Sequence, residues 1–282
     1  MYNFHTHTKY CDGKSDISEL IEVAIKNNFK ALGFSSHAPT KLKASWQIKE
    51  DNLDKYLLDV EKHKQLYSSK INIYKSFEVD YIQNISGPDK FRNIGLDYII
   101  GSVHYVSSEN NSEFITIDHS SEEFEKGVNK AFNGDVRKAI SKYYSLIKEF
   151  IYSDKPDIIA HIDLIKKFNK NELYFDENSD WYLLELDNLF DAVKQSGVIV
   201  ELNTRGFYKN LTADFYPCDY FLKKCIKYDV PIILNSDTHH ISELTLGFSE
   251  AVTKLLKLGC EKLMIFNKTA FQKIAISEYL NY

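Results

Sequence analysis

This sequence predicts an α/β fold in which βα units wind about a parallel sheet, and three observations carry that prediction. Short runs rich in Ile, Val, Leu and Phe recur along the 282 residues and alternate with segments of helical periodicity, the pattern of parallel βα architectures. A hydrophobic content of 44% is ample for a sizeable core, whether in one large barrel or two ordinary domains. Seven of the nine histidines stand at or just past the ends of the apolar runs. In a parallel sheet those ends share one face.

Strands are predicted at Tyr2 to His5, Ala31 to Ser35, Ile71 to Glu78, Tyr98 to Val103, Asp157 to Ala160, Val198 to Leu202 and Pro231 to Asn235. The run Lys262 to Phe266 is expected to add an eighth or an edge strand. Between the first two strands, Asp16 lies three residues before Glu19 as in a capping box, and Ile17, Leu20, Ile21, Ala24 and Ile25 trace one helical face. Similar stripes predict helices in 51–68, 136–152, 179–196, 217–229 and 248–258. A polar loop, Ser107 to Ser112, opens a mostly helical stretch, so 106–156 is expected to be an insertion or lid on a single domain covering 1–282.

Composition excludes several functions. A net charge of −5 gives no basic field for nucleic acid, and no apolar run reaches membrane-spanning length. With a ligand-like motif starting at residue 5 there is no signal peptide to read, and a cytoplasmic location is the expectation. Cys11, Cys218, Cys225 and Cys260 show no C-x-x-C spacing, so neither a disulfide scaffold nor a zinc ribbon is expected. Cys11 has no arginine six positions later and there is no D-x-D-x-T run, which disfavours covalent phosphatase chemistry.

Each proposed strand ends in residues able to bind metal or phosphate: His5 and His7, His37, Glu78, His104, His161, Glu201 with Asn203, and Asp237 with His239. A barrel would bring them to one site. Imidazoles mixed with carboxylates, without thiolates, favour Zn²⁺, Mn²⁺ or Fe²⁺. The set exceeds what one ion uses, and two or three ions sharing a carboxylate suit hydrolysis.

Read together, His5-Thr6-His7-Thr8 with Cys11-Asp12, Ser35-Ser36-His37-Ala38-Pro39, Phe77-Glu78-Val79-Asp80-Tyr81, Gly101-Ser102-Val103-His104, Ala160-His161-Ile162-Asp163-Leu164, Glu201-Leu202-Asn203 and Ser236-Asp237-Thr238-His239 resemble the PHP (polymerase and histidinol phosphatase) superfamily. Within it the chain looks most like the monofunctional histidinol-phosphatases, through Trp46, through Ile117-Asp118 before Glu122-Glu123-Phe124, and through Asp163 to Phe168. The similarity runs from residue 3 to about 240. It implies a distorted (βα)7 barrel, TIM-barrel-like, with three divalent metal ions at the C-terminal ends of the strands. His5, His7 and Asp237 would bind the first ion with a bridging Glu78, His104 and His161 the second with the same Glu78, and Asp12, His37 and His239 the third. Some members have histidine where Asp12 stands.

The resemblance implies hydrolysis of L-histidinol phosphate, a small phosphomonoester, in histidine biosynthesis. Two alternatives stay open: another phosphoester substrate such as phosphotyrosine or a nucleic-acid end, and a metal-binding regulatory protein without turnover. Glu78 and Asp237 are expected in catalysis, and Arg205, directly after Asn203-Thr204, as the phosphate clamp. Lys209 and Lys166 are the other candidate phosphate contacts, and His240 is expected to orient substrate or protonate the leaving alkoxide. Asp80, Asp163 and Asn203 are expected to fix imidazole orientation. His119 and Asp118 could touch substrate from the insertion, while His63 belongs to a solvated helix face.

Overall fold

The structure, a computed structural model, describes residues 1–108 and 113–279. Its strands in chain order are β1 (Tyr2–Asn3), β2 (Ala31–Phe34), β3 (Asn72–Asp80), β4 (Tyr98–Ser102), β5 (Tyr105–Ser107), β6 (Phe114–Thr116), β7 (Ile158–Ile159), β8 (Ile199–Asn203), β9 (Ile232–Asn235), β10 (Lys262–Asn267) and β11 (Ala270–Ala275). The helices are α1 (Ile17–Lys26), α2 (Leu53–Leu66), α3 (Ser121–Phe132), α4 (Val136–Ser153), α5 (Asp180–Ser196), α6 (Arg205–Tyr208), α7 (Asp219–Lys227), α8 (Phe248–Lys257) and α9 (Ile276–Tyr279). Among the described residues no helix is long and apolar enough to cross a membrane.

Seven strands form one sheet in the order β1-β2-β3-β4-β7-β8-β9, and every neighbouring pair is parallel. The sheet curls until its edges meet. Just past β1 and β9, the amide of His7 donates to the Thr238 carbonyl at 2.7 Å and that of Thr238 to the His5 carbonyl at 3.1 Å. The result is the nearly closed, distorted seven-stranded α/β barrel that the sequence predicts. Strands β2, β8 and β9 are buried on both faces, which is why they read as continuous apolar runs.

Local chemistry sets the ends of several helices. The backbone amide of Asp16 donates to the Glu19 carboxylate at 2.7 Å and completes the predicted capping box of α1. Ser120 and Asp135 accept from backbone amides in the first turns of α3 and α4. At the other end of α5, Gly197 adopts φ +66°, the left-handed stop that glycine supplies best.

The last apolar run behaves differently from its prediction. Lys262–Asn267 is no eighth barrel strand: it pairs antiparallel with β11 in a separate hairpin. A second unpredicted hairpin, β5–β6, precedes α3 and α4 in the expected insertion. Within the polar loop assigned there, residues 109–112 lie outside the described residues.

Candidate metal centre

The residues predicted as ligands meet at the C-terminal ends of the strands. His5, His7 and Asp12 follow β1, His37 follows β2, Glu78 lies within β3, His104 follows β4, His161 follows β7, and Asp237 and His239 follow β9. Two of them sit on unusual backbone, with φ +22° at His161 and +53° at Asp237. Non-glycine residues held at positive φ concentrate at functional sites.

Glu78 is the hub. Its Oε2 lies 3.1 Å from His5 Nε2, 3.2 Å from His7 Nε2 and 3.1 Å from His37 Nδ1. Its Oε1 lies 3.0 Å from His161 Nε2 and 3.6 Å from His104 Nε2, and accepts from the Ser102 hydroxyl. Asp237 Oδ1 stands 3.3 Å from His7 Nε2 and 3.4 Å from His239 Nδ1, while Asp12 Oδ2 is 3.3 Å from His239 Nε2. Three overlapping groups have ligand atoms within 4.8 Å of one another: His7, Asp12, His37 and His239; His5, His7 and Asp237; His37, Glu78 and His104.

Two properties mark this as a candidate site for divalent cations. Four buried atoms of these residues, Asp12 Oδ1, His37 Nδ1, His161 Nδ1 and Asp237 Oδ1, make no hydrogen bond of good geometry, for all the close approach of His37 Nδ1 to Glu78 and of Asp237 Oδ1 to His7 and His239, and buried polar atoms are rarely left so. The donors are imidazole nitrogens and carboxylate oxygens, which suit Zn²⁺, Mn²⁺ or Fe²⁺. The residues therefore fit the metals the sequence implies.

Charge is balanced inside the cluster. Burial alone would raise the Glu78 and Asp237 carboxyls, yet the surrounding histidines hold both well below the carboxylate range. Burial likewise opposes charge on His5, but Glu201, Asp237 and Glu78 outweigh it and push the imidazole up to about 10. His104 reaches about 10 because Asp80 and Asp118 overcome burial in the same way. His37 falls to about 4, since burial and its cationic neighbours prevail over Glu78 and Asp12.

Carboxylates behind the site orient two of the imidazoles. His5 Nδ1 meets Glu201 Oε1 at 2.7 Å, and Asn235 and Asn203 each donate to Glu201 at 2.9 Å. His104 Nδ1 meets Asp80 at 2.5 Å, and Gln47 donates to the same carboxylate at 3.1 Å. Such contacts fix which ring nitrogen is free to coordinate. Asp163 and Asn203 do not play the part predicted for them. Asp163 accepts instead from the Cys218 amide and Lys166, both at 2.8 Å, and Asn203 bonds to Glu201, Asp237 and the Arg205 amide.

A cavity of about 320 Å³ opens onto the ligands, and its wall includes Trp46, Asp118, His119, Lys167, Arg205 and Tyr216. Arg205 stands where a phosphate contact is expected. His240, Lys166 and Lys209 are placed elsewhere. His240 is exposed and faces Ser242, whose hydroxyl lies 2.8 Å from Nδ1, because it caps the short turn Ile241–Glu243. Lys166 is buried against Asp163 and the Phe215 carbonyl, and Lys209 is captured by Glu243.

Sequence reasoning missed Lys167, whose Nζ donates to the Asp118 carbonyl at 2.5 Å, one position from the lysine it selected. It also missed Glu201 as the residue that orients His5, although it placed Glu201 at a strand end.

The PHP domain pattern matches residues 3–205. The chain belongs to the PHP domain family. The match ends before Asp237 and His239, short of the predicted extent of about 240, and the barrel closure brings those two candidate ligands to the others. The Bacillus subtilis histidinol-phosphatase is 26% identical to this PHP chain over 264 residues, covering 86% of the chain and 95% of that relative. The Saccharomyces cerevisiae histidinol-phosphatase is 22% identical over 295 residues, covering 93% and 80%. The Lactococcus lactis histidinol phosphate phosphatase, solved with zinc, L-histidinol and phosphate, superposes with a TM-score of 0.70 at 17% identity, covering 96% of this chain and 98% of that one. A Listeria monocytogenes structure gives a TM-score of 0.79 at 24% identity, covering 89% and 99%. These two structures support the PHP fold.

Proposed function

We propose that this PHP protein is a metal-dependent phosphomonoester hydrolase that converts L-histidinol phosphate to L-histidinol and phosphate. One observation carries the reaction class: Glu78 and eight further candidate ligands gather at one end of the barrel, and seven of the nine line a cavity whose wall also holds Arg205 and Lys167. Similarity to histidinol-phosphatases over most of both chains supports the substrate.

His5, His7, Asp237, His104 and His161 would hold two divalent cations about a shared Glu78, and Asp12, His37 and His239 a third. Bound cations supply Lewis acidity for water activation and for neutralising charge on the phosphoryl oxygens. The chain's own groups bind and orient the ester. Arg205 presents a planar fork suited to two phosphoryl oxygens, and Lys167 adds a second positive charge to the wall.

The rest of the wall suits a flat, cationic alcohol. Trp46 stacks on Tyr105 with ring centroids 5.8 Å apart and lies 6.1 Å from the His119 ring, so aromatic faces line the cavity mouth. Burial opposes ionisation of Asp118, but Lys167, His104 and His161 outweigh it and lower its pKa, leaving an anion to face a substrate ammonium.

Initial rates of the metal-loaded protein on histidinol phosphate, phosphotyrosine, nucleoside monophosphates and DNA 3′-phosphate ends test this reading. A clear preference for histidinol phosphate is expected. Equal rates on all of them, or a preference for DNA ends, would overturn it.

A further inference from the structure

The carboxylate of Glu243 is nearly buried, its side chain 9% exposed, and it gathers donors from two segments, the loop at His239 and the α6 stretch from Arg205 to Lys209. Its Oε2 accepts from the His239 backbone amide at 2.9 Å, from Arg205 Nη1 at 3.3 Å and from the Tyr208 hydroxyl at 3.5 Å, while Oε1 takes the Lys209 ammonium. Arg205 Nη1 also donates to the Asp237 carbonyl at 2.9 Å and to the Tyr208 hydroxyl at 3.2 Å. Among the described residues, each hydrogen bond of that guanidinium runs through Nη1. Among the described residues no acceptor takes Nη2 or Nε, although Arg205 lines the cavity.

A guanidinium binds phosphate with one edge, two parallel N–H groups meeting two oxygens, so its rotation matters as much as its position. Glu243 holds one corner of that plane. The same oxygen pins the amide of His239, so the arginine is tied to the loop that presents Asp237 and His239.

We propose that Glu243 is a positioning residue for phosphate binding: by gripping Arg205 Nη1 and the His239 amide together, it fixes the remaining guanidinium edge in register with the candidate metal ligands. This rests on the assignment of Arg205 as a phosphate contact in the proposed function. Lys209 belongs to the same device: it offsets charge on Glu243, so that Arg205 stays available to a substrate anion.

The test compares metal-loaded wild type with Glu243→Gln, which keeps the shape and an oxygen for the His239 amide but loses the charge that holds Arg205. Binding of inorganic phosphate, followed by calorimetry and by competitive inhibition of p-nitrophenyl phosphate hydrolysis, should weaken about tenfold, the scale of one charge-assisted hydrogen bond. Bound metal should be unchanged, with the loss appearing in KM and not in kcat.

In an Arg205→Ala background the same substitution should cost no further phosphate affinity, because the group it positions is gone. Unchanged or tighter phosphate binding by Glu243→Gln would overturn the proposal, showing that the carboxylate only neutralises Arg205. So would an equal loss with and without Arg205. If Glu243→Gln folds poorly, Glu243→Asp, with the charge kept at shorter reach, serves instead. Its loss should again vanish without Arg205, and persistence there overturns the proposal. Failure of wild type to hydrolyse histidinol phosphate would overturn the substrate assignment alone, since phosphate affinity is compared without that substrate.

Discussion

The nine candidate ligands do unequal work, because they differ in how many partners depend on them. His104 touches Glu78 on one side and Asp80 on the other, so its removal leaves the buried Asp80 carboxylate with Gln47 but without its imidazole partner, a costly defect in a core. His104→Ala is expected to abolish turnover and lower bound metal, read by elemental analysis beside the activity assay. Full activity with unchanged metal would remove it from the site. Arg205→Ala should act differently, raising KM for the phosphate ester at least tenfold, the scale of a lost charge-assisted bond, while metal content stays as in wild type. No kinetic effect would move the phosphate contact to Lys167. That alternative shows where residue-level reading stops. Lys166 and Lys167 are adjacent lysines, and only the short turn Leu164–Lys166 decides that Lys166 is buried on Asp163 while Lys167 joins the cavity wall.

Among whole elements, the barrel strands were legible because burial on both faces makes them continuous apolar runs, and their ends were legible because ligand residues follow them. Lys262–Asn267 carries the same apolar signal yet pairs outside the barrel. The difference lies in the partner strand, Ala270–Ala275, which buries none of its six residues fully and carries no apolar run to announce it. The β5–β6 hairpin was equally silent, with three residues in each strand. Helix α4 is held against the sheet by close approach. A Cβ on Gly101 of β4 would lie 2.3 Å from the Phe150 ring of α4 and 2.8 Å from Pro156, and Phe150 is fully buried with no room to retreat. Gly101→Ala should therefore destabilise the protein by about 1–3 kcal/mol, the usual cost of overpacking. The check is the urea midpoint of unfolding, and an unchanged midpoint would show that α4 is free to shift away from β4.

For the molecule as a whole, the contacts that close the barrel and the candidate metal centre are built from the same segments. The bonds joining β1 to β9 involve the backbone of His5, His7 and Thr238, and the same segments carry four of the candidate ligands, His5, His7, Asp237 and His239. A cation held by His5, His7 and Asp237 would therefore bridge the seam. It must also compete with protons. His5 and His104, raised from 6.5 to about 10, favour the fold most below pH 6.5, and that contribution fades as pH climbs toward 10. Glu78 and Asp237, depressed below 4.5 and 3.8, contribute above those values and lose their effect on acidification. Metal requires the carboxylates ionised and the imidazole nitrogens free, so loading at neutral pH should displace the histidine protons. Titrating chelator-treated protein with Zn²⁺ or Mn²⁺ at pH 7 in two buffers of different ionisation enthalpy should reveal net proton release. Apparent affinity should rise about tenfold per pH unit for each proton displaced. Binding without proton release, at an affinity flat from pH 6 to 8, would mean that the cation does not use His5 or His104 and that the centre is assembled from the remaining ligands.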